Sequence, residues 1–264
     1  MRFISFGSGS SGNAFLLDTG EARIVFDCGV GIRRMRKEMV ELGIAGRLDA
    51  IVISHEHSDH ISALNSLLRY EKCPVYASAG TFAEIGRRTG WEVLRSGATT
   101  TIAGVRIDPV GISHDAAEPL GFFVDAGAER IALFTDLGAP QAEVSAAVAA
   151  ATVVVLESNY CEAMLRRSAY PAFLKRRIRS QFGHLSNDDC AATLVESLQP
   201  AAHTVWLAHL SENNNAPEVA EAAAQEALSI RGIRLPVRAL PRHVSENLLA
   251  PPSDIPSWQA PLVG

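Results

Sequence analysis

The chain has 264 residues, 47% of them hydrophobic, which is enough for a sizeable core and argues against wholesale disorder. Its formal net charge is −5, so overall charge does not mark a nucleic-acid binder, although a local basic patch can still serve one. Cys28, Cys73, Cys161 and Cys190 form no CxxC pair and read as reduced thiols. The N-terminus lacks a signal-peptide pattern, and no stretch approaches the roughly 20 apolar residues of a membrane helix. The expectation is a cytoplasmic protein with no membrane contact.

In chain order, the first 27 residues read as β: RFISF, NAFLLDT and RIVFDCG, separated by GSGSSG and TGEA turns. Residues 30–42 have helical spacing. DAIVIS (49–54) is a short apolar run typical of a buried strand, and it leads directly into HEHSDH and a helical ISALNSLLRY. CPVYAS and TFAEIGRRTG repeat the strand-then-helix order. Residues 91–133 turn β, with WEVL, TTTIAGVRIDPV, LGFFVDAG and the start of ERIALFTD. There follow a helix near 140–149, a strand VVVLES (153–158), a more helical stretch, a buried strand TVWLAHL (204–210) and a helix APEVAEAAAQEAL (216–228). IRLPVRAL completes the pattern as a last strand. Mixed α and β in each half, without a regular βα repeat, predicts an α/β (α+β) fold with two central sheets and helices outside.

The composition changes after Arg242, so the expected domain is 1–242, followed by a Pro-rich tail at 243–264. Within that tail, Gln259, Leu262 and Val263 loosely match peptides that dock on DNA sliding clamps, a pattern short enough to arise by chance.

The strongest chemical signal is His55-Glu56-His57-Ser58-Asp59-His60, three histidines and two carboxylates directly after a buried strand. Imidazole and carboxylate suit zinc, manganese or iron. On an extended segment alternate residues share a face, so His55 and His57 can hold one ion while Asp59 and His60, entering a helix, turn toward a second. Asp59 or Ser58 could instead simply cap that helix, but a cap does not call for three histidines.

The segment matches the HxHxDH signature of the metallo-β-lactamase superfamily, a resemblance that implies a four-layer αβ/βα sandwich. It further implies that His114, Asp136 and His209 complete a site for two divalent metal ions with His55, His57, Asp59 and His60. Asp136 would bridge the ions, Asp59 would be both ligand and catalytic group, and Asp27 would be structural. Each lies at the end of an apolar strand, where a rigid sheet can hold it. Two such ions lower the pKa of a shared water, which becomes the nucleophile, and neutralise charge on a phosphate. Asp136 at this position resembles the phosphodiesterases and glyoxalase II-like members rather than the β-lactamases proper.

LESNYCEAML and GHLSNDDC resemble the second half of tRNase Z enzymes and of PhnP. By that likeness His184 would protonate the leaving group and Glu157 would orient it. Each also has a bland reading, Glu157 as a strand-end hydrogen bond and His184 as a helix-cap residue. FGSGSSGNAFLL, FDCG, SHEHSDHISAL, SHDAAEPLGF, FTDLG, LESNY, YPAFLKRRI, GHLSN and AHLSENNNAP together resemble the YycJ (WalJ) family. That resemblance implies an exonuclease acting from the 5′ end of duplex DNA.

The residues themselves give partial support for a polyanionic substrate. Arg166, Arg167, Lys175, Arg176, Arg177 and Arg179 form a basic run just before His184, suited to backbone phosphates or merely to a solvated helix face. Tyr160 and Tyr170 flank the run and can stack on bases or pack. The GSGSSG loop reads as a flexible hairpin turn or a phosphate nest. Two other functions stand beside the nuclease: a small-molecule or cyclic-nucleotide phosphodiesterase resembling PhnP, and a non-catalytic interaction protein on a degenerate hydrolase scaffold. Full occupancy of the ligand positions weighs against the last. Metal identity, strand polarity and homo-oligomerisation stay open.

Overall fold

A computed structural model describes residues 1–249, apart from Ala45, Arg87 and Thr89. One seven-stranded sheet has the order β14-β1-β2-β3-β4-β5-β6. Its strands are β1 (Arg2–Gly7), β2 (Ala14–Asp18), β3 (Arg23–Phe26), β4 (Ala50–Val52), β5 (Val75–Ala77), β6 (Trp91–Val93) and β14 (Glu246–Asn247). A second has the order β13-β12-β11-β10-β9-β8-β7. It is built from β7 (Thr100–Ile102), β8 (Val105–Gly111), β9 (Leu120–Asp125), β10 (Arg130–Phe134), β11 (Val153–Glu157), β12 (Thr204–Ala208) and β13 (Val237–Ala239). In each sheet antiparallel hairpins give way to parallel strands: β3 to β6 in the first and β10 to β13 in the second.

The near-continuous apolar runs follow from burial on both faces. In β11, Val153 and Val155 join the core between the sheets, while Val154 and Leu156 face the helices outside. The same alternation divides β3, where Ile24 and Phe26 point inward and Val25 points out. Phe26 meets Phe122 across the sheets, with ring centroids 5.5 Å apart. Outside the first sheet lie α1 (Ile32–Glu41), α3 (Leu64–Tyr70) and α4 (Ala79–Ile85), which contribute Met35, Leu67 and Phe82 to that outer core. Outside the second lie α5 (Ala142–Ala150), α8 (Asn187–Ser197) and α9 (Pro217–Ile230), which contribute Val148, Leu194 and Leu228. The four-layer sandwich expected from the sequence is the observed architecture.

Two details differ from the sequence reading. The helix that Asp59 and His60 were expected to enter is broken: a single turn, α2 (Ser58–Ile61), carries them and precedes a separate α3. The expected boundary after Arg242 also falls short of the last residues packed into the fold. Asn247 and Glu246 pair with β1, Leu248 is fully buried in the central core, and the Trp206 indole donates to the Leu248 carbonyl at 3.1 Å. Short periodicity over these residues hides a two-residue strand. Gln259, Leu262 and Val263 lie outside the described residues. Among the described residues no helix is long and apolar enough to cross a membrane.

Candidate metal centre and active site

The parallel strands of both sheets end at one edge of the sandwich, the kind of crevice where open α/β sheets bind ligands. Asp27 follows β3, His55 and His57 follow β4, Asp136 follows β10, Glu157 ends β11 and His209 follows β12. Asp27, Asp136 and His209 adopt left-handed backbone conformations, with φ of 56°, 57° and 53°. Non-glycine residues rarely hold that conformation, and the places that keep it are commonly functional. His114 arrives from the loop between β8 and β9, completing the set from the second sheet.

The seven expected ligands form overlapping clusters whose donor atoms lie within 4.8 Å of one another: His55, His57 and His114; Asp59, His60 and His209; and His55, His60 and Asp136. Asp136 lies between the first two clusters, its carboxylate 2.9 Å from His60 Nε2 and 3.8 Å from His114 Nε2. One buried atom here, His55 Nε2, lacks a hydrogen-bond partner, while Asp136 Oδ2 has only the His60 ring nitrogen beside it. Leaving a ring nitrogen unpaired in a protein interior is costly, and a cation bound there would satisfy it. This donor set fits divalent metal ions.

The backs of the rings are fixed. Ser54 Oγ lies 3.0 Å from His55 Nδ1, Asp27 Oδ2 2.7 Å from His60 Nδ1, the Gly183 carbonyl 3.0 Å from His114 Nδ1, and Glu157 Oε1 2.8 Å from His209 Nδ1. Holding Nδ1 in this way turns Nε2 of each ring toward the cluster. Asp27 is thus an orienting carboxylate, and it also accepts from the backbone N–H and hydroxyl of Ser54.

The charges fit a site made for cations. Burial opposes charge on Asp136, yet His209 and His60 outweigh it and hold its carboxyl well below the usual range. Burial likewise opposes charge on His209, but Asp136, Asp59 and Glu157 push it up to about 10. His60 is raised against its burial by Asp27 and Asp136. His55 is lowered, first by burial and then by its histidine neighbours. Without metal, the buried carboxylates thus favour the protonated forms of His60 and His209.

Glu157 and His184 meet as a pair at the rim. Glu157 is fully buried, and its Oε1 lies 2.9 Å from His184 Nδ1 as well as 2.8 Å from His209 Nδ1. Its Oε2 accepts the backbone N–H groups of Leu137 at 2.6 Å and Leu185 at 3.1 Å. Burial raises the Glu157 carboxyl, but His184 and His209 more than offset that and leave it lowered. The His184 ring is 20% exposed and sits 5.3 Å from the His114 ring and 5.2 Å from the His209 ring.

The basic run divides. Arg177 pairs with Asp115 at 2.6 Å, Arg179 pairs with Glu162 at 2.7 Å, and Lys175 Nζ donates to the carbonyls of Arg166 and Ser168. Arg166, Arg167 and Arg176 are exposed and have no ion-pair partner among the described residues. They lie on α6 (Glu162–Arg167) and α7 (Ala172–Ile178). Both tyrosines pack instead of standing free: Tyr160 is buried beside Leu165 and Ile178, and the Tyr170 hydroxyl accepts from Asn213 at 3.0 Å.

The GSGSSG loop is neither a free turn nor an open nest, because it is tied to the site. The His209 backbone N–H donates to Ser8 Oγ at 2.9 Å, and Asn13 Nδ2 lies 3.1 Å from His60 Nε2. Asn13 also donates through its backbone to the Asp59 carbonyl at 2.7 Å. Ser8, Asn13 and Ser54, with Asn159, whose amide donates to the His209 carbonyl at 2.7 Å, are site residues that the sequence reading did not single out. Small polar side chains in loops carry no ligand signature. Their only trace was their position beside strands that end in His or Asp.

Known proteins resemble this chain in sequence and in fold. The sequence profile of the beta-lactamase superfamily domain matches residues 22–210. The chain is 32% identical to Exodeoxyribonuclease YycJ of Bacillus anthracis over 240 residues, covering 88% of this chain and 90% of that protein. It is also 32% identical to Exodeoxyribonuclease WalJ of Streptococcus pneumoniae, over 83% of this chain and 85% of that protein. Among solved structures, Zn(2+)-bound PqqB from Methylobacterium extorquens superposes with a TM-score of 0.70 at 13% identity, covering 94% of this chain and 100% of that one. A diphosphatase of the PhnP family superposes at 0.63 with 14% identity, over 93% of this chain and 97% of that one. At such identities these structures show the shared fold.

Proposed function

Because the chain belongs to the metallo-β-lactamase superfamily, within the branch that contains YycJ and WalJ, we propose that it is a metal-dependent phosphodiesterase acting as an exonuclease from the 5′ end of duplex DNA. That it is a metal-dependent hydrolase follows from the family and from the His/Asp clusters. The DNA substrate and the polarity are the proposal. Support comes from two relatives named as exodeoxyribonucleases that align over most of both chains, and from unpaired arginines on α6 and α7.

The observation that carries the phosphodiesterase reading is the Glu157–His184 pair at the rim of the histidine cluster. His55, His57 and His114 would hold one divalent ion, Asp59, His60 and His209 the other, and Asp136 both. The ions supply a water of lowered pKa and neutralise charge on the phosphate. The ionised Glu157 accepts from His184 Nδ1–H, so that the imidazolium form of His184 presents its Nε2–H to the substrate. His184 then delivers that Nε2 proton to the oxygen that leaves phosphorus, which removes the cost of expelling an alkoxide, and keeps its Nδ1 proton toward Glu157. Asp59 helps position the attacking side from the one-turn helix α2. Arg166, Arg167 and Arg176 neutralise phosphates further along the strand.

The test is a duplex labelled at either its 5′ or its 3′ end, incubated with the zinc- or manganese-loaded protein, beside RNA and bis-p-nitrophenyl phosphate. Stepwise loss of the 5′ label, abolished by chelator, is the expected result. Hydrolysis of the small diester alone would replace the nuclease by a small-molecule phosphodiesterase.

A further inference from the structure

Two phenylalanines on the segment that leads to His184 are left in solvent. Phe173, on α7, is 66% exposed, and Phe182, two residues before His184, is 50% exposed. Neither contributes to a core cluster, although the same segment buries Leu165 and Ile178.

The exposure of Phe182 is not that of a loose loop. The Gln181 carbonyl accepts the Ser113 hydroxyl, the Gly183 N–H donates to Ser180 at 2.8 Å, and the His184 N–H donates to Ile178 at 3.0 Å. The Gly183 carbonyl holds the His114 ring. A Cβ at Gly183 would lie 2.2 Å from the Ile178 carbonyl oxygen, and one at Gly138 would lie 2.2 Å from that of Gln181, so the chain is pressed against its surroundings on both sides of Phe182. A large ring is therefore held in water by a backbone fixed to a candidate metal ligand and to the candidate general acid. A single exposed aromatic is ordinary on a protein surface, but one held rigidly beside the candidate general acid is available to a bound substrate.

Charge identifies the occupant. Phe182 follows α7, which carries Arg176, and Lys175 ties α7 to the end of α6, where Arg166 and Arg167 sit. Arg167 and Arg176 have no carboxylate partner among the described residues, whereas the charge of Arg166 also acts on Glu162 of the same helix. Aromatic rings interspersed with unpaired cations suit a single nucleic-acid strand, whose bases offer π-faces and whose phosphates offer charge. A protein partner of ordinary composition offers no such alternation.

We propose that Phe182 is a stacking platform for the nucleobase next to the scissile phosphate, on the leaving-group side, and that Phe173 and the three arginines receive the strand beyond it. This inference rests on the nuclease reading and extends it: the strand must lie unpaired where it meets His184, so a duplex end has to open before cleavage.

Phe182 is exposed, so Phe182→Ala is expected to fold, with melting temperature and metal content as checks. The test measures kcat/KM on metal-loaded protein with a strand carrying a natural base next to the scissile phosphate, and with one carrying an abasic sugar there. Wild type is expected to lose roughly tenfold on the abasic strand, the scale of one base–aromatic stack. Phe182→Ala is expected to lose about as much on the natural strand and to be indifferent to the missing base, while Phe182→Trp restores the discrimination. A terminal 2-aminopurine in a phosphorothioate-protected strand should be quenched by wild type and not by Phe182→Ala. Wild-type cleavage that ignores the missing base, or a Phe182→Ala protein that still discriminates, would overturn the platform alone. A wild type that cleaves no polynucleotide at all would overturn the nuclease reading and the platform with it.

Discussion

Glu157 serves two histidines with one carboxylate oxygen, and each half of that arrangement predicts a different loss. In His184→Ala the cluster donors are untouched, so both metals should remain while kcat falls about a hundredfold or more, as for a lost general acid. Metal analysis alongside turnover checks this, and unchanged turnover would remove His184 from the chemistry. In Asp136→Ala the carboxylate between the two clusters disappears, and less than full metal occupancy is expected by the same analysis. His209 adds a pH signature. Its metal-free imidazole, raised to about 10, carries a proton at neutral pH that a metal ion must displace. A raised pKa is lost on metal binding, so affinity should climb with pH up to about 10, by about tenfold per unit for each proton released. Calorimetric titration of chelator-stripped protein in two buffers of different ionisation enthalpy measures that release. A heat independent of buffer would mean that His209 meets the ion already neutral. At this scale His55, His57, Asp59 and His60 were legible in the sequence because ligand-type residues crowd one short segment. Ser54, Asn13 and Asn159 were not, because a polar residue that orients a ligand has no composition of its own.

At the scale of elements, close approach between loops sets the site as firmly as the ligands do. A Cβ on Gly29 would fall 1.6 Å from the Asp59 carbonyl oxygen, so the turn after β3 touches the backbone of α2. Gly29→Ala must push α2 aside and displace Asp59 and His60. The expected outcome is a loss of about 3 kcal/mol in urea unfolding, with weakened metal binding. A fully metallated protein of wild-type stability would show that this contact is dispensable. The sequence placed Asp59 and His60 at the start of a helix but not on a turn of their own, because the break at residues 62–63 goes with the Ala63 N–H donating to the Cys28 carbonyl across the site. The basic run shows the same limit. Sequence shows six cations, and only the folded neighbours Asp115 and Glu162 decide that Arg177 and Arg179 are already paired.

For the whole molecule, the site closes the open edge of a two-sheet sandwich, and its ligands come from both sheets. Metal bound there ties the two halves together, so it should stabilise the fold by mass action, by about 4 kcal/mol when free metal exceeds the dissociation constant a thousandfold. Thermal melting with metal and then with chelator should show a clear fall in Tm, and equal Tm values would place the ions outside the folded-state balance. The chain end contributes as well. Ending the chain before Glu246 removes β14 and the buried Leu248, and frees the Trp206 indole from its partner. The expected cost is about 3 kcal/mol, from one buried leucine and one hydrogen bond. Wild-type unfolding of that truncated chain would return the domain boundary to residue 242.

The sequence by itself determined the layers, since apolar runs buried on both faces and separated by helical stretches admit few other arrangements. It also pointed to metal chemistry, through the crowded HEHSDH segment and the family resemblance that this segment carries. Tertiary structure alone decided which groups hold those ligands in place, which arginines are free, and which aromatics face water. These depend on contacts between residues far apart in the chain. Glu157 reaches His184 and His209, 27 and 52 positions away, through hydrogen bonds that no local pattern encodes. For Tyr160 and Tyr170, which flank the basic run, the sequence left stacking on bases and packing both open, and the fold packs both while Phe173 and Phe182 stay outside. Burial is a property of the whole fold, so the sequence could name the candidates and only the structure could choose among them.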